Sequence, residues 1–385
     1  MSAIALPRVL RLGGGSLAET GQAMAQLGLR RPAVITDRFL LESGAVARLQ
    51  AVLAASGIEA SVFADTVPDP TTDCVDAAAR FVREGGCDCV IGFGGGSPID
   101  TAKAASMLAV RPGRMRALKA PHQENTPGLP IVAIPTTAGT GSEATRFTIV
   151  TDTETDEKML CPGLAYMPML AIVDYELTLT MPRRLTADTG IDALTHAIEA
   201  YVSRLANPFS DAMALAAMRA IWQGLRIAYH EPADRAARES VMLGAMQAGM
   251  AFSNASVCLV HGMSRPVGAH FHVAHGLSNA MLLPAITRWS ISGNTARYAD
   301  CARVMRIAAE SESDEAAAAR LVDALQALNE ELAVPSPRAY GLDEARWRQL
   351  LPLMAEQALA SGSPGNNPLV PDADAIIALY HQVWA

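Results

Sequence analysis

Between residues 30 and 175 short apolar runs alternate with helix-length segments, and this alternation is the strongest constraint the chain carries. RPAVITD, EASVFAD, CDCVIGFGGGS and LPIVAIPTT have the length and apolar continuity of strands. LESGAVARLQAVLAASG and TTDCVDAAARFVREGG, which fall between them, have helical periodicity. Strands that are apolar throughout, separated by helices, predict a parallel sheet covered on both faces. After MPRRLTADTG the texture changes. Ala-, Leu- and Met-rich segments such as DAMALAAMRAIWQGLRIAYH and DEAAAARLVDALQALNEEL read as helices, and little reads as strand. The expected organisation is an α/β domain with a parallel sheet over 1–180 and an all-helical domain over 181–385.

The 385 residues supply enough chain for two or three domains, and half of them are hydrophobic. A net charge of -8 with no Lys/Arg run argues against a nucleic-acid partner. The six cysteines are scattered, and C-x-C at Cys87 and Cys89 is not structural zinc spacing. A reducing cytoplasm is the expected compartment. No run of about 18 apolar residues occurs without charges, so no membrane span is expected.

Two loops at strand ends suit a nucleotide. In CVIGFGGGSPIDTAKA, Gly94, Gly95 and Gly96 let the backbone approach a phosphate, and Ser97 is a candidate cap for the helix that Pro98 opens. The pattern matches neither G-x-G-x-x-G nor the P-loop, so a purely structural turn competes with the binding reading. PTTAGTGSEAT places Thr136, Thr137 and Thr140 after another strand, where hydroxyls suit a pyrophosphate or ribose. Asp37 ends AVITD, where a carboxylate would accept from an adenosine ribose and repel a 2′-phosphate. Together these features favour NAD over NADP, although Asp37 alone reads more readily as a helix cap or loop residue.

Four of the eight histidines fall within residues 261–275. DTGIDALTHAIEAYVS reads as a helix with Asp192 and His196 four apart on one face. His261 and His275 would lie about 21 Å apart on one straight helix, yet two ligands of one ion can be only about 4 Å apart. Pro266, Gly268 and Gly276 are the expected breakers that let the chain fold back. One carboxylate and three imidazoles suit ferrous iron or zinc.

These stretches, FGGGSPIDTAKA, IPTTAGTGSEAT, TGIDALTHAIEAY and VHGM…RPVGA…AHGLSNAMLLP, resemble the iron-containing (group III) alcohol dehydrogenases, from about residue 5 to the end. The resemblance implies a dehydroquinate synthase-like fold and an NAD-linked alcohol dehydrogenase or aldehyde reductase that works as a homodimer or larger homo-oligomer. It carries metal ligation onto Asp192, His196, His261 and His275, with Fe2+ expected and Zn2+ the alternative. It carries cofactor contact onto Gly94, Gly95, Gly96, Ser97, Asp100, Thr136, Thr137, Thr140 and Lys158, with Asp37 as the NAD-selecting acid and Asp69 bordering the adenine. Many members have a histidine four residues after the third ligand, beside the nicotinamide; here that position is Arg265. A guanidinium stays protonated and cannot be assumed to relay a proton, which leaves a water chain, His270 or His272 as candidate relays. Arg265 itself reads either as an anchor for an anionic substrate or as half of a structural pair with a carboxylate or helix-terminal carbonyl. A lyase resembling dehydroquinate synthase and a non-catalytic NAD-binding protein of the same fold are the rival readings.

Overall fold

The computed structural model describes residues 3–385, which divide into two compact units, Ile4–Thr180 and Met181–Ala385. In the first unit, strands β1 (Val9–Leu12), β2 (Pro32–Ile35), β3 (Ser61–Phe63), β4 (Cys89–Gly94), β5 (Ile131–Pro135) and β8 (Leu170–Val173) form one sheet in the order β1-β8-β5-β4-β2-β3. All its pairings are parallel. Helices α1 (Thr20–Gln26), α2 (Arg38–Glu42), α3 (Ala45–Ala54), α4 (Thr72–Glu84) and α5 (Gly96–Val110) connect the strands. Strands β6 (Phe147–Thr151) and β7 (Lys158–Pro162) form a separate antiparallel hairpin.

The strand sequences account for the layering. Ala33, Ile35, Val90 and Ile131 join one apolar core, while Val34, Ile91, Phe93, Val132 and Ile134 join the other. Both faces of the central strands are therefore buried, which is why those strands are apolar without alternation. Strand order reverses between β2 and β4, since β3 lies outside β2 and β5 lies outside β4 on the other side. Loops at the carboxyl ends of strands on either side of such a switch point diverge and leave room for a ligand.

The segment 41–57 departs from the single helix the sequence suggests. Helix α2 stops at Glu42, and Gly44, at φ 82°, starts α3 in a new direction.

The second unit is all helical: α6 (Arg183–Val202), α7 (Pro208–His230), α8 (Arg235–Asn254), α9 (Leu259–Phe271), α10 (His275–Ser290), α11 (Thr295–Val304), α12 (Asp314–Glu331), α13 (Pro337–Tyr340), α14 (Glu344–Ala360) and α15 (Ala373–Gln382). Helix α6 is buried almost all round and packs against α7, α8 and α10. Among the described residues no single helix is long and apolar enough to cross a membrane.

The chain does fold back between His261 and His275, but not where proline and glycine suggested. Helix α9 runs through Pro266 and Gly268, and the break falls at His272, whose φ of 55° is left-handed. Pro266 removes one N–H from the helix ladder, a loss that the packing of α9 against α10 and α14 outweighs. Gly276 has a different role. A Cβ there would lie 2.5 Å from the carbonyl oxygen of Asp188, so glycine is what lets α10 start hard against α6.

Candidate metal centre and cofactor loops

Helix α6 presents Asp192, His196 and Glu199 at spacings of four and three, along one face. Helix α9 brings His261 in its first turn, and α10 brings His275 at its first residue. One donor atom from each of Asp192, His196, His261 and His275 lies within 4.8 Å of all the others. From the Asp192 carboxylate, His261 Nε2 is 3.4 Å away, His275 Nε2 3.8 Å and His196 Nδ1 3.9 Å. His196 is stacked between Phe252 and His261, each with ring centroids 4.3 Å from its own. His275 is the most exposed of the four, so the quartet opens on its side. Burial opposes ionisation of Asp192, yet His196, His275 and His261 together hold its carboxyl well below the usual carboxylate range.

Two residues that sequence reasoning passed over complete the centre. The buried Glu199 carboxylate accepts from His261 Nδ1 at 2.7 Å, from Cys258 N–H at 2.8 Å and from Val260 N–H at 2.6 Å. It therefore supplies the start of α9 with acceptors for N–H groups that have no partner inside the helix. It also fixes the His261 tautomer, leaving Nε2 free to face Asp192. Asn279, one turn after His275 on α10, points its amide nitrogen at the quartet: 2.6 Å from Asp192 Oδ1, 3.1 Å from His261 Nε2 and 3.2 Å from His275 Nε2. An amide nitrogen carries two hydrogens and cannot satisfy three acceptors, while Asn279 Oδ1 is buried with no partner. A pocket where acceptors outnumber hydrogens is short of positive charge. The donor set and this imbalance both fit a divalent cation.

The other two histidines of the cluster do not join it. His270 hydrogen-bonds Gln357 of α14 at 2.8 Å, and His272 is solvent-exposed at the end of α9. Nothing in their placement supports the proton-relay role that the sequence suggested for them. Arg265 is half-buried and sits one turn after His261 on the same face of α9. The structural ion pair or carbonyl contact considered for it is absent: its guanidinium makes no hydrogen bond, ion pair or ring contact among the described residues. Desolvation opposes its charge and the Glu199 carboxylate favours it.

In the first unit the candidate cofactor loops lie at the carboxyl ends of β2, β4 and β5. Gly94 closes β4 at φ 151°, where a Cβ would sit 2.5 Å from Pro98 Cγ, so the turn demands glycine. Gly95, not Ser97, occupies the cap position of α5 and makes no side-chain cap bond. Ser97 Oγ instead accepts the Asp69 N–H at 3.2 Å, and Asp69 in turn pairs with Lys158 at 2.9 Å. Thr137 packs beside Gly95 and Thr140 beside Gly96, and the Thr136 N–H donates to Gly94 O at 2.9 Å. Asp37 caps α2 by accepting from Leu40 N–H at 2.9 Å. Asp100 lies beneath the loops and accepts from Ser142 Oγ and Ile149 N–H, tying α5 to the hairpin. The fully buried Lys103, which the sequence reading did not single out, donates to Thr145 O, Thr145 Oγ1 and Phe147 O beside it.

A parallel α/β unit with two glycine- and threonine-bearing loops at the carboxyl ends of β4 and β5, and a helical unit holding a buried carboxylate with three imidazoles, define a metal-dependent dehydrogenase. Comparison with known proteins agrees. Residues 7–175 match the family described as iron-containing alcohol dehydrogenase, and residues 186–384 match the Fe-containing alcohol dehydrogenase family, C-terminal. The chain is 35% identical over 374 residues to the lactaldehyde reductase of Escherichia coli strain K12, covering 97% of each protein. Its fold superposes on a crystal structure of 1,3-propanediol oxidoreductase with a TM-score of 0.95, 34% identity and all of both chains covered. It also superposes on the sulfoacetaldehyde reductase of Bifidobacterium kashiwanohense in complex with NAD+, with a TM-score of 0.89, 28% identity and 100% and 99% coverage. The chain belongs to the iron-containing alcohol dehydrogenase family. It is an enzyme, a metal-dependent alcohol dehydrogenase or aldehyde reductase, and the lyase and non-catalytic readings give way to that.

Proposed function

We propose that the enzyme interconverts a small aldehyde and its alcohol with NAD(H), using an ion held by Asp192, His196, His261 and His275. The observation that carries this reading is the convergence of four donor atoms within 4.8 Å on a buried, acceptor-rich pocket. Ferrous iron is the proposed occupant and zinc the alternative, since one oxygen and three nitrogen donors suit both. When bound, the ion supplies Lewis acidity toward a carbonyl or hydroxyl oxygen, and the nicotinamide supplies or accepts hydride.

The chain's own groups do the rest. Glu199 holds His261 in the tautomer that presents Nε2. Gly94, Gly95 and Gly96 offer backbone N–H groups at the start of α5, where the helix dipole favours a pyrophosphate. Thr136, Thr137 and Thr140 add hydroxyls beside them. Asp37 spends one carboxylate oxygen on its cap; the other is proposed for the adenosine ribose, which selects NAD over NADP. Asp69, fixed by Lys158 and Ser97, borders the adenine in this reading. Because Arg265 stays protonated, we assign the proton route to water and not to a side chain at that position. Short alcohols and aldehydes are the proposed substrates, as the names lactaldehyde reductase and 1,3-propanediol oxidoreductase support. A cytoplasmic homodimer or larger homo-oligomer is the proposed state.

The test is replacement of His196 and His261 by alanine, one at a time. Aldehyde-dependent NADH oxidation should fall by at least about a thousandfold while NADH still quenches protein fluorescence with near wild-type affinity. Turnover within tenfold of wild type in either variant would refute the ligand assignment.

A further inference from the structure

Among the described residues the Arg265 guanidinium has no hydrogen-bond or ion-pair partner; the one carboxylate that favours its charge, Glu199, is already engaged by three other donors. The carboxylates of α6, which packs against α9, are all engaged: Asp188 by Arg184, Asp192 in the quartet and Glu199 by its three donors. Arg265 is half-buried, so water does not fully solvate its guanidinium, and no described residue hydrogen-bonds to it. A charge placed this way costs free energy in the resting protein. That cost is recovered when an anion arrives. Its position says which anion: His261 and Arg265 share a face of α9 and differ by four residues, about 6 Å of helix rise.

We propose that Arg265 binds the oxyanion group of an acidic aldehyde, making the enzyme selective for short oxo acids over neutral aldehydes of the same length. The proposal rests on the aldehyde-reductase reading above. A planar guanidinium accommodates a carboxylate, sulfonate or phosphonate through paired N–H donors. With the carbonyl oxygen at the quartet, a two- to four-carbon oxo acid has the length to place its acid group one helical turn away. A neutral aldehyde of the same length leaves the guanidinium as unpaired as it is without substrate.

The experiment measures kcat and KM of the iron-loaded enzyme, with NADH, on two matched pairs: succinic semialdehyde against pentanal, and sulfoacetaldehyde against propanal. Wild type, Arg265→Met and Arg265→Lys are compared. In the wild type each acid should exceed its neutral partner in kcat/KM by at least about tenfold. Arg265→Met should cut that ratio by about ten- to a hundredfold, through KM for the acid, with KM for NADH unmoved. Arg265→Lys, which keeps the charge but loses the fork, should recover part of it. The pair with the larger ratio identifies carboxylate or sulfonate as the preferred group. Equal loss on acids and neutrals in both variants, or a KM for NADH that rises in step, would overturn the proposal. So would a wild type that reduces neutral aldehydes without preferring acids, leaving the aldehyde-reductase reading intact. No turnover of any aldehyde by the iron-loaded wild type would instead overturn that underlying reading.

Discussion

Replacing Glu199 by glutamine separates its two tasks. In the native protein Oε2 accepts from Cys258 N–H and His261 Nδ1, and Oε1 accepts from Val260 N–H. Alanine would orphan three buried donors at about 1–3 kcal/mol each, a total that rivals the roughly 5–15 kcal/mol stability of a whole domain. Glutamine has nearly the same volume and one oxygen that can keep the two Oε2 bonds. Its NH2 must then face Val260 N–H, costing about 1–3 kcal/mol for that orphaned donor. The surviving bonds also lose their charge assistance, so His261 becomes less basic. We expect metal affinity to fall about ten- to a hundredfold, or about 1.4–2.8 kcal/mol. The assay is competition with a calibrated chelator for Zn2+ or Fe2+, paired with urea unfolding of the metal-free protein. Reduced stability with metal affinity within threefold of wild type would refute the claim that Glu199 sets the His261 ligand, leaving it a helix cap alone.

Two further outcomes are expected. Burial pushes the Glu143 carboxyl up to about 7, against an ordinary value near 4.5, with Lys103 opposing the shift. A raised folded-state pKa means that folding favours the protonated acid, so stability is lost as pH rises from about 4.5 to 7, by about 3 kcal/mol. Glu143→Gln should therefore gain on wild type in thermal unfolding as pH rises through that window; a difference independent of pH would contradict the assignment. Gly94→Ala must hold alanine at φ 151° with its Cβ against Pro98; the backbone strain alone is roughly 1–3 kcal/mol, and NADH binding should weaken at least tenfold. Unchanged NADH affinity would show that the turn does not touch the cofactor.

Much of the centre was legible because polar residues in an apolar helix need a reason. Asp192 and His196 stand on one face of α6 at the spacing of one turn, among Ile191, Ala193, Leu194, Ala197 and Ile198, and β2, β4 and β5 show themselves by unbroken apolar runs. Glu199 was not legible. A lone glutamate near a helix end usually faces water, and its role exists only because α9 starts beside it, 59 residues later in the chain. Asn279 was hidden in the same way, since its partners lie on three different helices. Pro266 gave a misleading signal: local propensity marks a break, but the packing of α9 carries the helix through and moves the reversal to His272. Ser97 misled similarly, because its hydroxyl faces Asp69 in a loop the sequence does not connect to it. Strand β1 is short and only half-buried, and lacks the continuous apolar run that marks the central strands.

The most direct test of the account is an anaerobic titration of metal-free enzyme with ferrous iron, following aldehyde-dependent NADH oxidation. The account predicts no turnover in the chelated protein and a linear rise that saturates at one ion per chain. Full turnover in the chelated protein, or no turnover at saturating iron with NADH bound, would contradict it.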